Sequence, residues 1–138
     1  MTTASAAPAS KGLHITLWVF QVLVGVAFVL IGGMKLVTSP EAMAAQGAGW
    51  ALTMPWLPKF IGISELAGGL GLILPAASRV KPVLTPIAAG ALGVVMVLAA
   101  GYHVVNGEWN HLPGPIVFLG LCLFIAWGRW AKAPIAPR

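Results

Sequence analysis

Four long apolar stretches, separated by short polar ones, set the organisation of the chain. The first, Leu13 to Val37, places its polar, aromatic and small residues at one interval. His14, Trp18, Gln21, Gly25, Phe28, Gly32 and Lys35 follow one another in alternating steps of four and three. That is the repeat of one helix face. Leu, Val and Ile fill the other faces, so the stripe is expected to face a bundle interior and the rest to face lipid. At about 1.5 Å of rise per residue the stretch exceeds the ~30 Å of a hydrocarbon core. It also exceeds the apolar core of a secretory signal peptide, so no cleaved leader is expected.

The second stretch runs from Lys59 to about Ala76, and one of its faces reads Pro58, Gly62, Glu65, Gly69, Leu72. The third, Val83 to about Asn106, has a small-residue stripe of Pro86, Ala89, Gly93, Met96 and Ala100 that ends in His103. The fourth, about Ile116 to Trp130, is short and carries few marked positions. The expected fold is all-α: a transmembrane four-helix bundle over residues 13–131, with a loose tail at 1–12 and a C-terminal tail at 132–138. Between the first two spans, Ser39-Pro40-Glu41 reads as an N-cap, a proline at the first helical position and an acid in the first turn. A short interfacial helix over residues 40–46 should follow, broken by Gly47 and Gly49. Trp50, Trp56 and the prolines of MPWLP then form a kinked aromatic shoulder at head-group level, either a lid or an interfacial anchor.

Composition agrees with a lipid setting. Hydrophobic residues make up 59% of the 138 and charged residues 8%, where a soluble domain carries about a quarter charged. The net charge of +5 reads as loop bias rather than as a nucleic-acid surface. Lys11, Arg79, Lys81, Arg129, Lys132 and Arg138 fall on one side of the expected spans. Lys35 and Lys59 fall on the other, with Glu41 and Glu108. That bias predicts both termini in the cytoplasm. A bacterial inner membrane is the expected setting. The single cysteine, Cys122, excludes an internal disulfide; in an apolar run it reads as an inert thiol.

Glu65 is the residue that most needs explaining. A carboxylate well inside a membrane helix costs a few kcal/mol or more unless it is paired, protonated or facing a cavity. Lys35 ends the first span, His103 ends the third, and Glu65 lies six residues into the second. All three should therefore share one half of the bundle, with Glu65 paired to Lys35 or His103. Haem is not expected, because His14 lies at the opposite end and only the loop residue His111 could partner His103. Metal binding through Glu65, His103 and His111 is geometrically open but has no spacing signature, and no metal site is assigned. A proton relay would have only Gln21 and His14 below Glu65.

AFVLIGGMKL in the first span, FIGISELAGGLGLILP in the second, and Met96 with His103 in the third resemble the DoxX-like family of small four-helix membrane proteins. The resemblance covers about Leu17 to His103. It implies a four-helix bundle but not one activity. Some relatives resemble subunits of quinone-reducing thiosulfate oxidoreductases, and others are membrane-protein assembly factors.

Two functions are therefore expected. In the first, the chain is an accessory subunit of a membrane redox system, partnered by a membrane or peripheral oxidoreductase. It holds a quinone-like molecule among Lys35, Glu65, His103, Trp50, Trp56 and Gln21, with room left by Gly32, Gly62 and Gly69. In the alternative it is a scaffold or assembly chaperone, and the Lys/Glu/His cluster only locks helices together. Ala89 with Gly93, or Gly68 with Gly71, offer a surface for a homo-oligomer or for packing within the bundle.

Overall fold

The structure, a computed structural model, describes residues 10–138. The tail expected over residues 1–12 lies outside the described residues up to residue 9. Six α-helices follow in order: α1 (Lys11–Val37), α2 (Pro40–Ala45), α3 (Trp50–Thr53), α4 (Trp56–Ser78), α5 (Leu84–Val105) and α6 (Pro113–Trp127). A 3-10 turn, Trp109–His111, precedes α6, and a π-helical turn, Gly128–Lys132, extends it. Helices α1, α4, α5 and the α6 segment are each long and apolar enough to cross a membrane. The chain is an integral membrane protein with an all-helical four-span bundle.

The helix starts follow local chemistry. Ser10 caps α1 by accepting from the Leu13 N–H, and Ser39 caps α2 by accepting from the Ala42 N–H. The short helix therefore forms where the Ser-Pro-Glu signal places it, and Gln46 is its C-cap. The second span starts three residues earlier than Lys59 because Pro58 sits in its first turn, where no intrahelical N–H is needed. The helix also runs through Pro75, which leaves the Gly71 carbonyl without its usual donor. Thr85 Oγ1 on α5 supplies one at 3.1 Å. One residue on, Gln21 Nε2 of α1 donates to the Leu72 carbonyl at 2.7 Å. In a membrane such side-chain substitutes are what make an interior proline tolerable.

Helix α1 packs most extensively on antiparallel α4, and glycines set the approach. A Cβ built on Gly32 would lie 2.6 Å from the Gly62 carbonyl oxygen, and one on Gly62 would lie 2.7 Å from that of Gly32. Gly25 and Gly69 repeat the reciprocal contact two turns away, at 2.9 and 2.6 Å. Gly32, Gly62 and Gly69 thus bring two backbones together, which corrects the expectation that they leave room beside the polar residues. The other small faces are also occupied within the chain: Gly68 meets Leu92, Gly71 meets Ala88, and Ala89 is buried. The apolar core gathers Val24, Phe28, Leu72, Leu92, Met96 and Ile125 from all four spans. Val19, Leu23, Leu30, Ile63, Val94 and Leu123 stay exposed, as lipid-facing positions should.

Candidate functional site

The site lies at the end of the bundle where α1 stops and α4 begins. Lys35 is in the last turn of α1, and its Nζ donates to both oxygens of Glu65, at 2.8 and 2.7 Å. Glu65 is 2% exposed, while the Lys35 side chain keeps 25% of its surface open. The expected partner of Glu65 is therefore Lys35. It is within reach because Gly32, one turn earlier on α1, sits against Gly62, nearly one turn before Glu65. Lys59 reinforces the same junction by donating from Nζ to the Leu36 carbonyl at 2.6 Å, a cation on a helix C-terminus.

His103 does not bond Glu65. Its Nδ1 meets Glu108 Oε2 at 2.8 Å, across the turn that ends α5. Sequence reasoning missed Glu108 as a partner. The signal was present: the pair lies five positions apart, and Gly107, at φ +69°, lets the chain double back between them. His111 is stacked edge-on against His103 with ring centroids 5.4 Å apart. Trp50 packs edge-on against Tyr102 at 6.1 Å, joining α3 to α5.

These groups surround a cavity of about 520 Å³. Lys35, Glu65, Trp50 and His103 line it, together with Tyr102, Glu108 and His111; Met54, Leu57, Phe60 and Val95 are among its apolar walls. Space comes from the loop between α2 and α4 standing off α5, not from the glycines. Two of the residues expected here lie elsewhere. Trp56 is 63% exposed and is not part of the lining, because it opens α4 on the outward side. Gln21 is buried at the opposite end of the bundle, where its Oε1 accepts from Arg129 Nε at 2.5 Å.

Chemically, the cavity offers one fixed cation–carboxylate pair, a histidine with a carboxylate behind it, a phenol and an aromatic face, in an otherwise apolar wall. It suits a molecule with a flat apolar body and a polar head. The described residues whose metal-ligating atoms converge are His103, Glu108 and His111, within 4.8 Å of one another. Glu65 is not among them.

The sequence profile of the DoxX-like family matches residues 19–125, most of the chain and all four spans in whole or in large part. The chain belongs to the DoxX-like family. This DoxX-like protein matches no curated protein and no solved structure. The family match also bears on the site. It covers the α1–α4 junction, the loop over the cavity and the His103–Glu108–His111 turn, so the site is built wholly from the part shared with the family.

Proposed function

We propose that this DoxX-like protein holds a quinone-like amphiphile in the cavity at the Lys35–Glu65 end, as the accessory subunit of a membrane redox system. The observation that carries this reading is a largely apolar cavity of about 520 Å³ whose polar groups include Lys35, Glu65, His103 and Tyr102. Quinone carbonyls take hydrogen bonds from donors, which Lys35 and Tyr102 are. Oxidation of a quinol needs a base, and the imidazole of His103, held by Glu108, is a group of that kind. Trp50 supplies a face on which a ring can stack. Head group and tail would separate naturally, with the tail between α4 and α5. In this reading both termini lie on the cytoplasmic side of a bacterial inner membrane and the cavity faces the outer leaflet, an orientation that the excess of basic residues at the opposite end supports.

The test is binding of a short-chain quinone to detergent-purified protein, parent against His103→Leu and Ala99→Phe. Ala99 lines the cavity without a polar contact, so its replacement fills the space and leaves every charge in place. Saturable binding that weakens at least about tenfold in both variants is expected, the loss of one hydrogen-bonding group or of the ring's space being worth about 1.4 kcal/mol or more. Equal affinity in parent and Ala99→Phe would reject the cavity as the site.

A second reading rests on the α1–α4 junction. The two glycine contacts and the double Lys35–Glu65 hydrogen bond join the same pair of helices, which suits a rigid scaffold or assembly chaperone. In that reading no quinone binds, and a partner membrane protein co-purifies with the parent.

A further inference from the structure

The turn after α5 gathers three side chains that the amphiphile reading does not need together. We propose that His103, Glu108 and His111 bind a divalent transition-metal ion of the zinc class at the edge of the cavity. The inference goes beyond the amphiphile reading and does not rest on it.

The donor set comes first. Two imidazoles and one carboxylate, in a borderline-soft mixture of nitrogen and oxygen, suit zinc, cobalt or nickel; calcium and magnesium take oxygen shells. Geometry comes next. The three ligand atoms lie within 4.8 Å of one another. A tetrahedral ion bonded at about 2.0–2.1 Å would hold its ligand atoms about 3.3 Å apart. The His103–Glu108 distance of 2.8 Å must open by about half an ångström and no separation must close by more than about 1.5 Å, within reach of side-chain torsions alone.

The backbone is already fixed in the shape that brings the three together. Glu108 N–H donates to the His103 carbonyl at 2.8 Å, and His111 N–H donates to the Glu108 carbonyl at 3.0 Å. Gly107 makes the reversal at φ +69°. His111 is further seated by the α2–α3 connection, since a Cβ on Gly47 would lie 3.6 Å from its Cε1. Two of the three side chains are partly sheltered, with 20% of His103 and 30% of Glu108 exposed, and His111 is open, so an ion has a way in. Three protein ligands leave a position for water or an exogenous ligand. Because all three residues line the cavity, that position adjoins it.

The experiment is a calorimetric titration of Zn²⁺ into full-length protein in detergent, stripped with a chelator and carrying no histidine tag. Co²⁺ absorption gives a second readout. The chain has three histidines, so His14→Ala, at the far end of the bundle, controls for adventitious binding. Expected are one saturable site per chain, loss of affinity by about tenfold or more in each of His103→Ala, His111→Ala and Glu108→Gln, and no change in His14→Ala. Bound Co²⁺ should show the intense visible bands of a four-coordinate site. His111 is exposed in a turn, so His111→Ala leaves the fold intact and keeps the test decisive. Affinity unchanged in His111→Ala, or no saturable binding by 1 mM metal, about 4 kcal/mol of standard binding free energy, would overturn the proposal. Because no quinone is present, neither result bears on the amphiphile reading.

Discussion

At one end of the bundle Glu65 takes both its oxygens to Lys35 and borders a cavity. At the other, Arg129 is just as deeply buried, at 3% exposure, and forms no ion pair among the described residues. The chain's three acids are Glu41, Glu65 and Glu108, none of them near it. Its Nε donates to Gln21 Oε1 at 2.5 Å and its Nη1 to the Ala133 carbonyl at 2.9 Å, with His14 Nδ1 at 3.0 Å. The guanidinium also lies 5.6 Å from the centre of the Trp18 ring. One end thus holds a localised charge with a localised countercharge, beside open space. The other holds a delocalised cation spread over neutral acceptors and an aromatic face. A guanidinium is suited to the second arrangement because it is weakly hydrated and has a planar fork of donors, whereas a carboxylate deep in lipid needs a cation or a proton. The cavity lies at the end with the localised pair.

The largest effect should follow from splitting the ion pair. Lys35→Met leaves Glu65 buried without a countercharge and is expected to cost about 3–5 kcal/mol in reversible unfolding from mixed micelles. Replacing both residues by apolar ones, Lys35→Met with Glu65→Leu, should return stability to within about 1 kcal/mol of the parent, because a buried pair contributes little net once desolvation is counted. A double variant as unstable as Lys35→Met alone would mean that the loss lies in packing at the Gly32–Gly62 contact and not in the stranded charge.

The opposite end should respond more weakly and in a different pattern. Arg129→Met leaves only neutral groups unpartnered, chiefly Gln21 Oε1, and is expected to cost about 2 kcal/mol. Arg129→Lys should be nearly as costly, since an ammonium cannot reach Gln21, His14 and Ala133 with one planar fork. Full stability in Arg129→Lys would show that the positive charge itself matters there, and the contrast between the ends would fail.

The two ends also differ in how far they could be read from sequence. The four spans, the Ser39 cap and the polar stripe of α1 were legible because hydropathy, capping and the helical repeat are local signals. The need of Glu65 for a partner was legible from the cost of a charge in lipid. The role of the glycines was ambiguous residue by residue, yet a pairwise signal exists: Gly25 and Gly32 are seven apart on α1, as are Gly62 and Gly69 on α4. Equal spacing on two antiparallel helices puts glycine opposite glycine at both levels, and so means contact rather than space. In the sequence Arg129 counts only among the basic residues on one side of the spans, because its burial depends on the π-helical turn Gly128–Lys132, which turns it toward Gln21; no hydropathy pattern encodes that. The displacement of the cavity toward the α2–α4 loop was likewise hidden, since α3 is four residues long and has no measurable repeat.

The smallest effect should come from the second acid–base pair of the cavity end. His103 and Glu108 are five residues apart, their side chains are 20% and 30% exposed, and the turn between them is already held by backbone hydrogen bonds. A partly solvated pair of this kind contributes about 0–1 kcal/mol. In metal-free protein, Glu108→Gln keeps an oxygen that can accept from the His103 ring N–H, so its stability should stay within about 0.5 kcal/mol of the parent and respond little to added salt. The comparison with Lys35→Met is what gives the number meaning: both variants remove one member of a short polar contact lining the same cavity, and they differ mainly in the solvent left to the surviving partner. A cost above about 1.5 kcal/mol for Glu108→Gln would show that the turn depends on this carboxylate. His103 would then be held in place by its contact with Glu108 rather than by α5, and the turn would belong with the α1–α4 junction as structure instead of with the cavity as chemistry.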